Sequence, residues 1–147
     1  MSDIEFRDFR RGDEEACLAI FDANCPEFFA PNERDDYRAF LGSNPVGYEV
    51  CVRSGAVLGA FGVFAQVGGS PSLNWILLHP GAQGLGLGSA IMERSTAMAR
   101  TMGADVLRIA ASHKSAPFFE RFGAERRRLT EHGWGPDMHR IDMELML

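Results

Sequence analysis

The chain has 147 residues, 46% hydrophobic and 24% charged, with a formal net charge of −5. That is about one domain's worth of chain, with enough apolar side chains for a single core. No block of Lys or Arg is longer than Arg126-Arg127-Arg128, which reads as a solvated strand start, so a nucleic acid partner is not expected. Cys17, Cys25 and Cys51 form no Cys-x-x-Cys pair, which argues against a disulfide framework or a zinc site and fits a reducing, cytoplasmic setting. Residues 1–5 lack the pattern of a signal peptide. No segment approaches the roughly 20 apolar residues that cross a bilayer, so no membrane association is expected.

Taken in order, residues 4–9 alternate apolar and polar side chains as a half-buried strand does. Asp13 is placed to cap a helix in which Ala16, Cys17, Ile20 and Phe21 recur at helical spacing; it ends near Asn24, and Pro26 stops it. Asn32 is placed to cap a second helix over 33–41, with Tyr37, Phe40 and Leu41 on one face, ended by Gly42-Ser43-Asn44-Pro45. Residues 48–53 and 57–65 read as a hairpin closed by Ser54-Gly55, and Gly59 and Gly62 predict a bulge or a close neighbour. A loop over 66–71 and a fourth strand over 72–79 follow. The next helix, reaching Met102, carries Leu87, Ala90, Ile91, Met98 and Met102 on one stripe. Residues 106–111 form a strand buried on both faces, 116–122 a short helix stopped by Gly123, and 125–129 with 138–145 a closing strand pair around a loop over 131–137. The expectation is one α+β domain: a mixed sheet of about seven strands with helices on both faces.

Between the fourth strand and its helix stands His79-Pro80-Gly81-Ala82-Gln83-Gly84-Leu85-Gly86-Leu87-Gly88-Ser89. Glycines where a helix should begin each cost roughly 0.5–1 kcal/mol against alanine. Small residues there let successive backbone N–H groups converge at the positive end of the helix dipole, so the stretch offers a cradle for an anion, most naturally phosphate. No Gly-Lys-Ser/Thr follows, which excludes a phosphate-loop NTPase, and Gly84-x-Gly86-x-Gly88 departs from the dinucleotide spacing Gly-x-Gly-x-x-Gly.

Gln83-Gly84-Leu85-Gly86-Leu87-Gly88, preceded by His79-Pro80, resembles the Gln/Arg-x-x-Gly-x-Gly/Ala motif of the GCN5-related N-acetyltransferase (GNAT) family. The aromatic segment Ser112-His113-Lys114-Ser115-Ala116-Pro117-Phe118-Phe119-Glu120-Arg121-Phe122-Gly123-Ala124 is similar to that family's second motif. The resemblance implies an acyl-CoA N-acyltransferase fold with four helices. Acetyl-CoA would lie where the fourth and fifth strands part, as a cosubstrate for transfer to a primary amine of a small molecule, peptide or protein. Its pantetheine would meet the backbone of Ile76, Leu77 and Leu78, and its pyrophosphate Gln83, Gly84, Leu85, Gly86, Leu87, Gly88 and Ser89. The side chains of Leu85 and Leu87 would serve the core. Ser112 would touch the cofactor arm or act as a strand cap, and Phe119 stands where the family carries its acid, a Tyr. No metal is implied, and the chain would work as a monomer or homodimer.

The same resemblance makes the Leu78 N–H the oxyanion donor. Where many members carry a basic Glu on the fourth strand, this chain has Ser72 and Asn74. A relay to another base then brings in Glu49, His79, His113, His132 and His139. His139 shares strand parity with Ile141, Met143 and Leu145 and so should face inward, while His79 also reads as a turn residue. Asn24, Phe28, Phe29, Tyr37, Trp75 and Trp134 would line the acceptor pocket, each equally readable as core. Glu27, Glu33, Asp35 and Asp36 near its entrance favour a cationic amine or simply form a solvated helix face. Two other readings stay open: a catalytically silent acyl-CoA-binding or sensor module, and a domain for another phosphorylated ligand.

Overall fold

The computed structural model describes residues 3–82 and 84–147. Its elements follow the predicted order: β1 (Glu5–Asp8), α1 (Glu14–Ala23), α2 (Glu33–Gly42), β2 (Tyr48–Arg53), β3 (Ala56–Gln66), β4 (Gly69–Leu78), α3 (Leu87–Thr101), β5 (Val106–Ser112), α4 (Ala116–Glu120), β6 (Glu125–Gly135) and β7 (Met138–Met146). The strands form one sheet in the order β1-β2-β3-β4-β5-β7-β6. Among the described residues, only β4 and β5 run parallel as neighbours. α3 is the crossover that returns the chain in the same direction. This is the mixed seven-stranded α+β sheet with four helices that the patterning and the resemblance predict.

Each face of the sheet has its own core. α1 and α2 lay Cys17, Ile20, Phe21, Tyr37 and Leu41 on Tyr48, Val50, Ala60 and Leu77. α3 and α4 lay Leu87, Ile91, Met92, Ala99, Ala116 and Phe119 on Leu73, Leu107, Ile109 and Met143. The buried stripe of α3 is thus Leu87, Ile91, Met92, Ser95 and Ala99. Met102 lies beyond the helix end and is 47% exposed. β5 is not buried on both faces as expected: Leu107, Ile109 and Ala111 are buried on one, whereas Arg108 on the other is exposed.

Several local expectations change. The loop over 66–71 is a tight turn: β3 runs to Gln66, which pairs with Gly69 across Val67-Gly68. Pro71 is accommodated where the β3–β4 register slips between Phe64 and Gln66, where its missing N–H is not needed. The closing loop is likewise shorter, because β6 continues to Gly135 through an irregular stretch between Thr130 and Gly135. Neither expected cap acts as one. The Asp13 carboxylate takes both Arg7 nitrogens at 2.8 Å and the Arg10 N–H, and Asn32 donates to the Trp134 carbonyl.

Gly59 is fixed by contact, since a Cβ there would stand 2.9 Å from the Leu77 carbonyl oxygen. Gly59→Ala is therefore expected to cost about 1–3 kcal/mol through overpacking, read as a melting temperature lowered by about 2–4 °C per kcal/mol. Gly42→Ala, at a position with nothing within 4 Å of a new Cβ, is the control and should leave stability unchanged or slightly raised.

Candidate active site

The site begins where a ladder stops. β4 and β5 pair at Ser72↔Arg108 and Leu73↔Ile109, and no pair follows among the described residues. The cause lies one strand away. The β3–β4 register passes from Ala60↔Leu77 to Gly62↔Asn74, so Trp75 and Ile76 together oppose Phe61 in a bulge, with Trp75 at φ +48°. A bulge shifts side-chain parity: Leu73 faces the α3/α4 core and Leu77 the α1/α2 core, although they are four residues apart. Beyond the bulge, the β4 edge that would face β5 is open.

Two side chains from the α1/α2 layer hold this edge. The Tyr48 hydroxyl donates to the Trp75 carbonyl at 2.7 Å. Asn24 Nδ2 donates to the carbonyls of Leu78 and Ile20, each at 2.9 Å. The His79 N–H donates to the Leu58 carbonyl at 2.8 Å, around the Gly59↔Leu78 pair. That pattern makes Gly59↔Leu78 a non-hydrogen-bonded pair, so the Leu78 N–H points away from β3 into the gap.

The glycine stretch turns from β4 into α3 beside this gap. His79 Nδ1 accepts the Gly81 N–H at 2.9 Å, which makes His79 a turn residue. Gly84 at φ +83° and Gly86 at φ +74° occupy the left-handed region, which favours glycine. Gly86 is the N-cap of α3 and offers no side-chain cap. The amides of Gly84, Gly86, Gly88 and Ser89 have no acceptor among the described residues, and the N–H of Ala90 is bonded to the Gly86 carbonyl at 3.0 Å. Gln83 lies outside the described residues. Leu87 is buried as expected, whereas Leu85 is 38% exposed and does not serve the core.

Gly88 lies beneath the ring of Phe118, 2.7 Å from where its Cβ would be. Phe119, at the position of the family's Tyr, is instead a core residue, 3% exposed. Ser112 is also buried. Its Oγ accepts the Ser115 N–H at 3.0 Å, and its own N–H donates to Ser115 Oγ. Of its two readings, the geometry is that of a cap at the strand end.

Segment 24–33 roofs the other side of the gap. Asn24 anchors it on Leu78, and Asn32 Nδ2 anchors it on the Trp134 carbonyl at 2.8 Å. Trp134 Nε1 in turn donates to the Ala111 carbonyl of β5 at 2.9 Å, and the Arg140 guanidinium lies 5.0 Å above its ring. Phe29 stacks on Trp75, and Phe28 is half-buried. Tyr37 is fully buried and belongs to the core rather than to a pocket wall.

Glu33, read from the sequence as one of several entrance acids, is 5% exposed. One carboxylate oxygen accepts the Ala30 N–H at 2.7 Å. Burial, aided by nearby Asp36, pushes its carboxyl up to about 7. It is the functional candidate that sequence reasoning undervalued; its position among the aromatics of segment 24–33 was the available signal.

The other base candidates are committed elsewhere. Glu49 holds Arg94 through two bonds of 2.6 and 3.0 Å, clamping β2 to α3. His113, His139 and His132 spend their Nδ1 atoms on the N–H groups of His139, His132 and Asp137. Their rings are 4.7 and 4.9 Å apart. His113 and His139, with Arg126, Arg127, Arg128, Leu129 and Ile141, line a surface cavity of about 440 Å³. His139 does share the face of Ile141, but it is only half-buried. Asn74 stands opposite Gly62 at the last regular step before the bulge. Burial pushes the Cys17 and Cys51 thiols up to about 11 and 12, so neither offers a thiolate at neutral pH. No group of His, Cys, Asp or Glu suited to a metal ion occurs among the described residues.

A parallel pair splayed beside an uncapped, glycine-rich helix entry is the architecture of the N-acyltransferases. The Acetyltransferase (GNAT) family model matches residues 17–124, and the chain belongs to that family. Among solved structures it is similar to Ard1 from Thermoplasma volcanium, with a TM-score of 0.82 and 14% identity, covering 99% of this chain and 98% of that one. It is also similar to the ribosomal-protein-S18-alanine N-acetyltransferase from Escherichia coli (TM-score 0.77, 15% identity, 97% and 93% covered). A third is yncA from Salmonella typhimurium, solved with its cofactor acetyl-CoA (TM-score 0.72, 18% identity, 99% and 95% covered). At these identities the likeness is one of fold. No curated protein matches the sequence. No helix among the described residues is long and apolar enough to cross a membrane.

Proposed function

We propose that this chain transfers the acetyl group of acetyl-CoA to a primary amine of a small molecule or of a peptide or protein. The observation that carries this reading is the open β4 edge from Trp75 to Leu78 beside the amides of Gly84, Gly86, Gly88 and Ser89, which find no acceptor among the described residues. The pantetheine arm would lie along Ile76, Leu77 and Leu78. The pyrophosphate would rest on residues 83–89, where converging amides and the α3 dipole favour negative charge. Acetyl-CoA supplies the activated acyl group.

The acceptor nitrogen attacks the thioester carbon, a tetrahedral centre forms, and the carbon–sulfur bond breaks to release CoA. The Leu78 N–H, directed into the gap, would receive the developing oxyanion. An alkylamine with a pKa near ~10.4 must first lose a proton, at about 4–5 kcal/mol at pH 7. Asn74 cannot take that proton. Glu33 is the buried carboxyl whose proton affinity suits the task, and it lies in the segment that links Leu78 to the Trp134 hairpin. We assign it as base, directly or through a water. The departing thiol, with a pKa near ~8.5, needs little help, which fits the absence of a Tyr at Phe119.

A second reading is favoured by the lack of a proton acceptor on β4 itself: a silent acyl-CoA-binding module. Both readings predict that acetyl-CoA raises the melting temperature. Transfer also predicts amine-dependent thiol release across a panel of alkylamines and N-terminal peptides, and silence predicts none. A chain that acetyl-CoA does not stabilise belongs to neither.

A further inference from the structure

We infer that the hydroxyl of Tyr48 is a positioning group for the pantetheine arm of acetyl-CoA: it fixes the peptide between Trp75 and Ile76 and thereby aims the Ile76 N–H of the open β4 edge. This rests on the acetyl-transfer reading above. Trp75 holds φ +48°, a conformation that costs a bulky residue roughly 1–2 kcal/mol and persists only where its surroundings impose it. The surroundings here are specific. The indole packs on Tyr37 at 4.8 Å and Phe40 at 6.1 Å, and the carbonyl accepts the Tyr48 hydroxyl at 2.7 Å.

The direction of each bond follows from counting protons. Tyr48 has one hydroxyl hydrogen and spends it on Trp75, so in the 2.8 Å contact between the two phenols Tyr37 must donate to Tyr48. Tyr37 orients the acceptor side of Tyr48, and Tyr48 orients the strand. The Tyr48 ring has little freedom, being fully buried with Phe9 and Phe40 edge-on at 5.9 and 5.0 Å. Gly62, its partner across the β2–β3 ladder, leaves space for two rings, since a Cβ there would stand 2.5 and 2.6 Å from Phe64 and 3.0 Å from Tyr48.

In a planar trans peptide the C=O and the following N–H point in opposite directions. Drawing the Trp75 carbonyl toward Tyr48 therefore turns the Ile76 N–H away from it. Without the hydroxyl, the part-buried carbonyl would lose this donor and the strained peptide its anchor.

The experiment pairs Tyr48→Phe with Tyr37→Phe. Both delete one buried hydroxyl from the same contact, but only the first takes the donor from Trp75. Titration with acetyl-CoA should show at least a tenfold rise in Kd for Tyr48→Phe and less than threefold for Tyr37→Phe, with amide exchange at Ile76 accelerated in the first variant alone. A Tyr48→Phe chain that binds within threefold of wild type overturns the proposal. So does a loss shared equally by both variants in step with their melting temperatures, since that is merely structural. Should Tyr48→Phe not fold, Tyr37→Phe still decides, because a tenfold loss there is incompatible with the role. A wild-type chain that acetyl-CoA does not stabilise overturns the acetyl-transfer reading and this role with it, an outcome distinct from failure of the variants alone.

Discussion

Gly88→Val is expected to weaken acetyl-CoA binding by tenfold or more and to abolish most of the thermal stabilisation that acetyl-CoA confers on the wild type. The new Cβ would stand 2.7 and 3.0 Å from two ring carbons of Phe118 and 3.7 Å from a Leu78 methyl. The ring cannot easily retreat: it packs on Phe119 and Phe122 at 5.0 and 5.2 Å, with the Arg121 guanidinium 5.5 Å from its centre. Either α4 or the first turn of α3 must shift, and the first turn is where the Gly88 and Ser89 amides stand. Overpacking of this kind costs about 1–3 kcal/mol. Gly84→Ala separates strain from collision, because its Cβ would meet nothing within 4 Å while φ is +83°. That substitution should cost about 1–2 kcal/mol of left-handed backbone strain and weaken binding less than Gly88→Val. Calorimetric titration of both variants checks the order; equal losses would mean that the Phe118 contact is irrelevant to the cradle.

Where one physical rule governed a segment, the sequence was readable. Alternation identified β1, the Ser54-Gly55 turn marked the β2–β3 hairpin, helical spacing identified α1 to α3, and the glycine stretch marked the helix entry where Gly84 and Gly86 are left-handed. Competing tertiary partners hid the rest. Asp13 and Asn32 have the chemistry of helix caps, but Arg7 and Trp134 claim their side chains. Gly68-Gly69-Ser70-Pro71 has the composition of a loop, yet only Val67-Gly68 turns, because a register slip absorbs Pro71. The bulge that opens the sheet has no local signature in Trp75 itself. It depends on Tyr48, two strands earlier in the chain, and on the absence of a side chain at Gly62. Glu33 looked like its neighbours Asp35 and Asp36, which are exposed, because composition carries no information on which of three acids the fold turns inward.

Glu33→Gln should reverse sign between stability and turnover. In the folded chain the Glu33 carboxyl is raised to about 7 from the ordinary 4.5 by burial, so the folded state binds its proton more tightly than the unfolded state does. Stability from this group is therefore fully present below about pH 4.5 and is lost as pH rises through about 7, where an ionised carboxylate must stay buried. At 1.36 kcal/mol per tenfold change in proton affinity, the loss is about 3 kcal/mol. Glutamine can still accept the Ala30 N–H and carries no charge. The variant should match the wild type near pH 4.5 and exceed it at pH 8 by up to about 3 kcal/mol, or roughly 6–12 °C in melting temperature. Taking the difference between the two proteins cancels the opposite trend of Asp13, whose carboxyl the Arg7 guanidinium holds below the usual range. If Glu33 is also the base, kcat/KM of the wild type rises with pH through about 7, and the variant loses that limb together with a factor of roughly 10²–10⁴ in rate. Melting curves over pH 4.5–8 alongside a pH–rate profile separate the two roles. A stabilised variant that keeps both the rate and the limb returns Glu33 to the loop as a costly buried acid and moves the search for the base to another residue.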